Sequence, residues 1–301
     1  MSCYIAEIFT LRTKFVNTTR KQNTLAEPVL FSGIGLHTCR KVTIRFCPAP
    51  ANHGIVFKRI DLPEQTLIPA VLESVCDASS RSTTLGIGSV RIHTVEHVLS
   101  ALRAYDIDNA IVEISDIEPP VADGSSLPFV QMIEQAGIKE LAADCEIAAI
   151  TKPLYYQKGD VYLVALPSDV FKVSYTLSYP GSPILQAQYH SAVITSEYFK
   201  REIASSRTFS LYEEIEHLID RGLIKGGSLS NSVIIKDNAI LSHEGLRYSN
   251  EMVRHKILDL IGDLSLVMHP FKAHIIAAKS GHQTNYEFAK VIYEHITTEK
   301  Q

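Results

Sequence analysis

The chain has 301 residues, of which 46% are hydrophobic and 21% charged, with a net charge near −4 at pH 7. That length gives one large or two ordinary domains a full apolar core and excludes intrinsic disorder, while the mild acidity with scattered basic residues argues against a nucleic-acid partner. The five cysteines, Cys3, Cys39, Cys47, Cys76 and Cys145, form no Cys-x-x-Cys pair, so neither a disulfide framework nor a thiolate zinc site is suggested and a reducing cytoplasm fits.

Residues 1–20 contain a short apolar stretch broken by Glu7 and lack a proper apolar core and cleavage site, so no export signal is read. No run approaches the roughly 18 to 20 apolar residues that span a bilayer. Any membrane contact is expected to be peripheral. From residue 23 to about 57 the pattern is strand-like: Val29-Leu30-Phe31, a Gly33-Ile34-Gly35 turn, and an alternating stretch at 41–46 ended by Pro48 and Pro50. A short strand at 89–93 runs into a helical pattern with Val95, Val98, Leu99 and Leu102 on one face. A strand at 110–114 and a helix at 128–136 follow. Strands recur at 162–166 and 172–177, and helices at 210–221, 250–266 and 285–295. The strand-then-helix order therefore occurs twice. It predicts two α+β domains, 21–143 and 144–301, with helices against mostly antiparallel sheets, behind an N-terminal extension at 1–20.

Chemistry-bearing residues fall in four segments. In Thr94-Val95-Glu96-His97 a strand hands over to a helix; Thr94 is the expected N-cap, and Glu96 alone is equally explained by the helix dipole. In the 254–263 run, His255, Asp259 and Asp263 recur every four residues on one helix face beside Lys256, a pattern also met in solvated ion pairs. One histidine from the first half and a His-xxx-Asp pair from the second make a two-histidine, one-carboxylate set. Three ligands with one open position suit a catalytic zinc, and Glu96 adjoins a ligand where a general base is needed. In the third segment, Lys279-Ser280-Gly281-His282, a strand breaks at glycine. His282 could face a cleft there as a cation if Asp263 holds it protonated. The fourth, Ser206-Arg207-Thr208-Phe209 with the apolar and glycine-rich stretch to residue 236, reads as a small βαβ excursion that packs the core or frames an apolar slot.

Taken together, these segments resemble the UDP-3-O-acyl-N-acetylglucosamine deacetylase family from about residue 21 to 295. The motifs are Gly33-Ile34-Gly35-Leu36-His37, Pro48-Ala49-Pro50-Ala51-Asn52, Thr94-Val95-Glu96-His97, Asp123-Gly124-Ser125, Ser206-Arg207-Thr208-Phe209, the 255–263 run and Lys279-Ser280-Gly281-His282. The resemblance implies a two-domain sandwich of repeated α+β units, with a βαβ insert at about 208–236 in the second domain. The site is then expected between the domains, with one Zn²⁺ per chain on His97, His255 and Asp259. It further implies Glu96 as general base, His282 as cationic acid oriented by Asp263, and Thr208 and Lys256 as helpers for oxyanion and substrate. Leu36, Arg207, Phe209, Ile215, Ile224, Gly227, Ser228 and Ile234 are expected to face the substrate, several of them along an acyl-chain passage. The implied activity is removal of acetyl from a UDP-linked acyl amino sugar in making the lipid A of Gram-negative bacteria, by a cytoplasmic monomer. Alternatives are a zinc deacetylase of another amino sugar or amide, and a non-catalytic binding protein on the same fold. One departure stands out: Cys39 occupies a place where glycine is common.

Overall fold

The computed structural model describes residues 17–78, 81–220, 224–237 and 239–298. Most of the expected extension at 1–20, and the last residue of the helix expected at 210–221, thus lie outside the described residues. In chain order the first half runs β1 (Thr18–Leu25), β2 (Val29–Ile34), β3 (Lys41–Pro48), β4 (Ile55–Arg59), β5 (Leu67–Pro69), β6 (Val75–Asp77), β7 (Thr84–Ile87), β8 (Val90–Ile92), α1 (Glu96–Ala104), β9 (Ala110–Ile114) and α2 (Leu127–Ala136). The second half runs β10 (Ile138–Ala149), β11 (Leu154–Lys158), β12 (Val161–Leu166), β13 (Phe171–Tyr179), β14 (Gln186–Val193) and the short α3 (Ser196–Tyr198). It continues with β15 (Phe209–Leu211), α4 (Tyr212–Asp220), β16 (Val233–Lys236), β17 (Ala239–Leu241), α5 (Glu251–Leu264), β18 (Phe271–Ala278) and α6 (His282–Thr298).

Two sheets repeat one topology. The first has the order β2-β3-β9-β4-β5 and the second contains β11-β12-β18-β13-β14. In each, the strand that follows a helix sits at the centre, antiparallel to the earlier hairpin strand (β9 to β3, β18 to β12) and parallel to the next (β9 to β4, β18 to β13). The alternation that makes these strands half-buried is plain in β3, where Val42, Ile44 and Phe46 are buried, and in β18, where Phe271, Ala273, Ile275 and Ala277 are. Helices fill the space between the sheets: α2 lies on β2 and α1, α1 along α5, α5 on β13 and β14, and α6 on β11 and β12. Buried on nearly every side, α5 has the apolar surface of a central helix.

The two units are joined by strands. β1 pairs antiparallel with β10, and β10 pairs parallel with β18. The boundary expected at 143/144 therefore falls inside β10, and Thr18 to Arg20, set aside with the extension, are sheet. The expected βαβ insert is present as parallel β15 and β16 around α4, with β17 added antiparallel. Among the described residues no helix is long and apolar enough to cross a membrane.

Candidate active site

The equivalent helices α1 and α5 lie against each other, so that the start of α1 meets the second half of α5. Gly262 permits the approach: a Cβ there would stand 2.2 Å from the backbone oxygen of Glu96. A mid-helix glycine costs about 1 kcal/mol relative to alanine, and here that cost is offset by bringing Glu96 and His97 onto Asp259 and Asp263.

His97, His255 and Asp259 converge, each offering one ligand atom within 4.8 Å of the others. The Nε2 atoms of His255 and His97 stand 3.3 and 3.6 Å from Asp259 Oδ1, yet that buried oxygen accepts no hydrogen bond. His255 Nδ1 donates to the Ser206 carbonyl at 3.0 Å, which fixes the tautomer and leaves Nε2 as the free lone pair. Burial pushes the His255 imidazole down to about 4 against the pull of Asp259, so it is neutral at pH 7. Burial by itself would raise the Asp259 carboxyl, but His255, Lys256 and His97 outweigh it and hold the group well below the usual carboxylate range. Lys256 Nζ donates to the other oxygen, Oδ2, at 2.8 Å. An ionised carboxylate oxygen, buried without a donor beside two imidazole nitrogens, fits a divalent metal.

Beside this set lies a second one. His282 Nδ1 donates to Asp263 Oδ2 at 2.9 Å, while its Nε2 stands 3.9 Å from Glu96 Oε1 and 4.0 Å from Asp259 Oδ2. Burial lowers the His282 imidazole, but Asp263 and Glu96 more than compensate and push it up to about 9, so the ring is a cation at pH 7. Burial also raises the Glu96 carboxyl, with His282 and His97 opposing, which moves it toward the range useful to a base. Two residues the sequence does not flag complete the group. The Thr83 hydroxyl donates to Asp263 Oδ1 at 2.6 Å and its N–H to Glu96 Oε2 at 3.0 Å, and Asn285 Nδ2 donates to Asp263 Oδ2 at 2.8 Å.

Three expectations are corrected. Thr94 is not a side-chain cap: it sits in the left-handed region at φ 56°, its hydroxyl is buried without a partner, and the residue before the helix is Val95. A cap needs extended backbone to turn its oxygen onto the first-turn N–H groups. The last helix, α6, begins at His282, three residues before the expected start. Arg207 does not face a ligand, being fully buried with its Nε and Nη2 on the two oxygens of Glu251 at 2.8 and 3.1 Å. The guanidinium is used to hold the segment that enters α5.

The remaining expected residues border the site unevenly. Phe209 meets the His255 ring edge-on at 6.4 Å, and Lys256 Nζ lies 5.8 Å from the Phe209 ring centre. Thr208 is half-buried, with its backbone N–H on Gly124 and its carbonyl bonded by Val233. Leu36 and the insert are tied directly, since Gly226 N–H donates to the Leu36 carbonyl at 2.9 Å and Gly227 packs by Ile224 and Leu36. The loop holding Leu36 is itself fixed by buried Glu118, which accepts from the N–H groups of His37 and Thr38. Ile215 is buried on α4, Ile234 is half-buried on the β16 face opposite Val233 and Ile235, and Ser228 is exposed.

A family model for UDP-3-O-acyl N-acetylglycosamine deacetylase matches residues 22–294. The chain is 50% identical over 277 residues to a UDP-3-O-acyl-N-acetylglucosamine deacetylase of Chlamydia felis, covering 92% of this chain and 98% of that one. It is 50% identical over 276 residues to the enzyme of that name from Chlamydia pneumoniae, covering 91% and 98%. With its counterpart from Chlamydia trachomatis serovar L2 it shares 45% over 282 residues, covering 94% and 98%.

Proposed function

The chain belongs to the UDP-3-O-acyl N-acetylglycosamine deacetylase family, and from that premise we propose that His97, His255 and Asp259 hold the zinc of its active site, between the units 21–143 and 144–301. It is a hydrolase that removes acetyl from UDP-3-O-acyl-N-acetylglucosamine, leaving acetate and the free amine, in lipid A biosynthesis. The observation that supports the metal assignment best is Asp259 Oδ1, buried and without a hydrogen bond between two imidazole nitrogens. We take a monomer as the functional unit. The cysteine pattern supports the cytoplasm, and we take any contact with the inner membrane to be peripheral.

Zinc, when bound, supplies a Lewis acid that polarises the acetamide carbonyl and makes water acidic near neutral pH. Glu96, with Oε2 held by the Thr83 N–H, accepts the proton of the attacking water. His282 then presents Nε2–H as a fixed cation to the developing oxyanion and gives a proton to the departing amine. Asp263 keeps that ring oriented through Nδ1. Lys256 adds positive charge on the Phe209 side, and Thr208 places a hydroxyl at the same rim. Leu36, Phe209, Ile215, Ile224, Gly227, Ser228 and Ile234 form the acyl passage, whose contacts lie away from the reacting carbon and serve to position it.

The test is acetate release from the UDP-sugar with and without its 3-O-acyl chain. We expect kcat/KM to fall sharply without the chain. Equal values for the two substrates would point to a deacetylase of simpler amino sugars, and metal binding without acetate from either would point to a binding protein.

A further inference from the structure

We propose that Thr83 is a positioning residue that sets the distance between the general base and the carboxylate partner of the acid, an inference that rests on the hydrolytic reading of the site. Thr83 stands just before β7, in a segment held by the β7 pairings to β6 and β8, and is 1% exposed. It makes three hydrogen bonds, two at the start of α1, to Val95 and Glu96, and one to α5. Its carbonyl accepts from Val95 N–H at 3.3 Å, its N–H donates to Glu96 Oε2 at 3.0 Å, and its hydroxyl donates to Asp263 Oδ1 at 2.6 Å. Glu96 belongs to the first half of the chain and Asp263 to the second, so one residue fixes a carboxylate from each. The hydroxyl donates to a carboxylate oxygen, so its single hydrogen is committed to Asp263. Asn285 holds Asp263 from the other side through Oδ2. With both oxygens anchored, Asp263 cannot rotate, and the His282 ring bonded to it keeps Nε2 directed toward Glu96.

A purely structural threonine would affect stability alone, whereas a positioning one moves kcat and leaves KM in place. The zinc-loaded full chain is assayed for acetate release as wild type, Thr83→Val and Thr83→Ser, with metal content and melting temperature taken for each. Thr83→Val keeps the shape and the backbone donor and removes the hydroxyl. We expect its kcat to fall about 10- to 100-fold, the scale for losing an outer-shell partner at a metal site, with KM and metal content unchanged and most of the loss recovered in Thr83→Ser. Should the valine protein not fold, Thr83→Ala removes the same hydroxyl without adding bulk and is read against the same outcomes. Wild-type kcat in the variant lacking the hydroxyl, or a Thr83→Ser protein as slow as it, overturns the inference while leaving the hydrolase reading intact. A wild-type chain that releases no acetate overturns both.

Discussion

Replacing Gly262 with alanine separates two consequences of the α1–α5 contact. Alanine in place of glycine favours the helix by about 1 kcal/mol. The added Cβ would stand 2.2 Å from the Glu96 carbonyl oxygen, whereas carbon–oxygen contacts settle at about 3.3 Å, so the start of α1 must retreat by about 1 Å. Overpacking of this kind costs about 1–3 kcal/mol. Set against the helix gain, the net loss is about 0–2 kcal/mol, a fall in Tm of only a few degrees. The catalytic effect is larger, because the displaced residues are Glu96 and His97 themselves, and a misplacement of about 1 Å can cost about 10²-fold in rate. Thermal melting and kcat for acetate release on the same sample check this. A Gly262→Ala protein with wild-type kcat would refute the claim that this approach sets the site geometry.

Arg207→Ala should destabilise the fold by about 3–5 kcal/mol by leaving Glu251 buried and unpaired; a raised KM at unchanged Tm would instead return Arg207 to the substrate. Glu96→Ala should keep its metal and lose about 10²-fold or more in turnover, and an unchanged rate would remove Glu96 as the base. His282 gives activity a basic limb. Its folded pKa of about 9 lies above the ordinary 6.5, so the cation, and the stability it gains from Asp263, are fully present below 6.5 and are lost as pH rises through 9. A kcat profile from pH 6 to 10 should show that limb in the wild type and lose or displace it in His282→Ala; an identical limb in both would assign it to another group.

The i, i+4 spacing of His255, Asp259 and Asp263 and the alternation in β3 are local patterns, and these were legible before any contact was known. So was the repeated strand-then-helix order, although the alanine-rich stretch of β10, broken by Lys139, Glu140, Asp144 and Glu146, hides the strand that joins the two units. What escaped depends on contacts between distant segments. Thr83 acquires its meaning from Asp263, 180 positions away, Asn285 from the same carboxylate, and Gly262 from a carbonyl on another helix. Arg207 was misplaced because a motif position does not say whether its partner is a ligand or a buried glutamate. Cys39 illustrates the reverse case: the resemblance leads one to expect glycine there, and the residue adopts φ 57°, the left-handed conformation that glycine enters most easily.

The claim on which the mechanism depends is that His97, His255 and Asp259 together hold one zinc. Metal content per chain, measured on wild-type and His255→Ala proteins purified identically, tests it most directly. One equivalent of zinc in the wild type and a loss of both metal and acetate release in the variant is the expected result, and full zinc occupancy in His255→Ala would contradict the assignment.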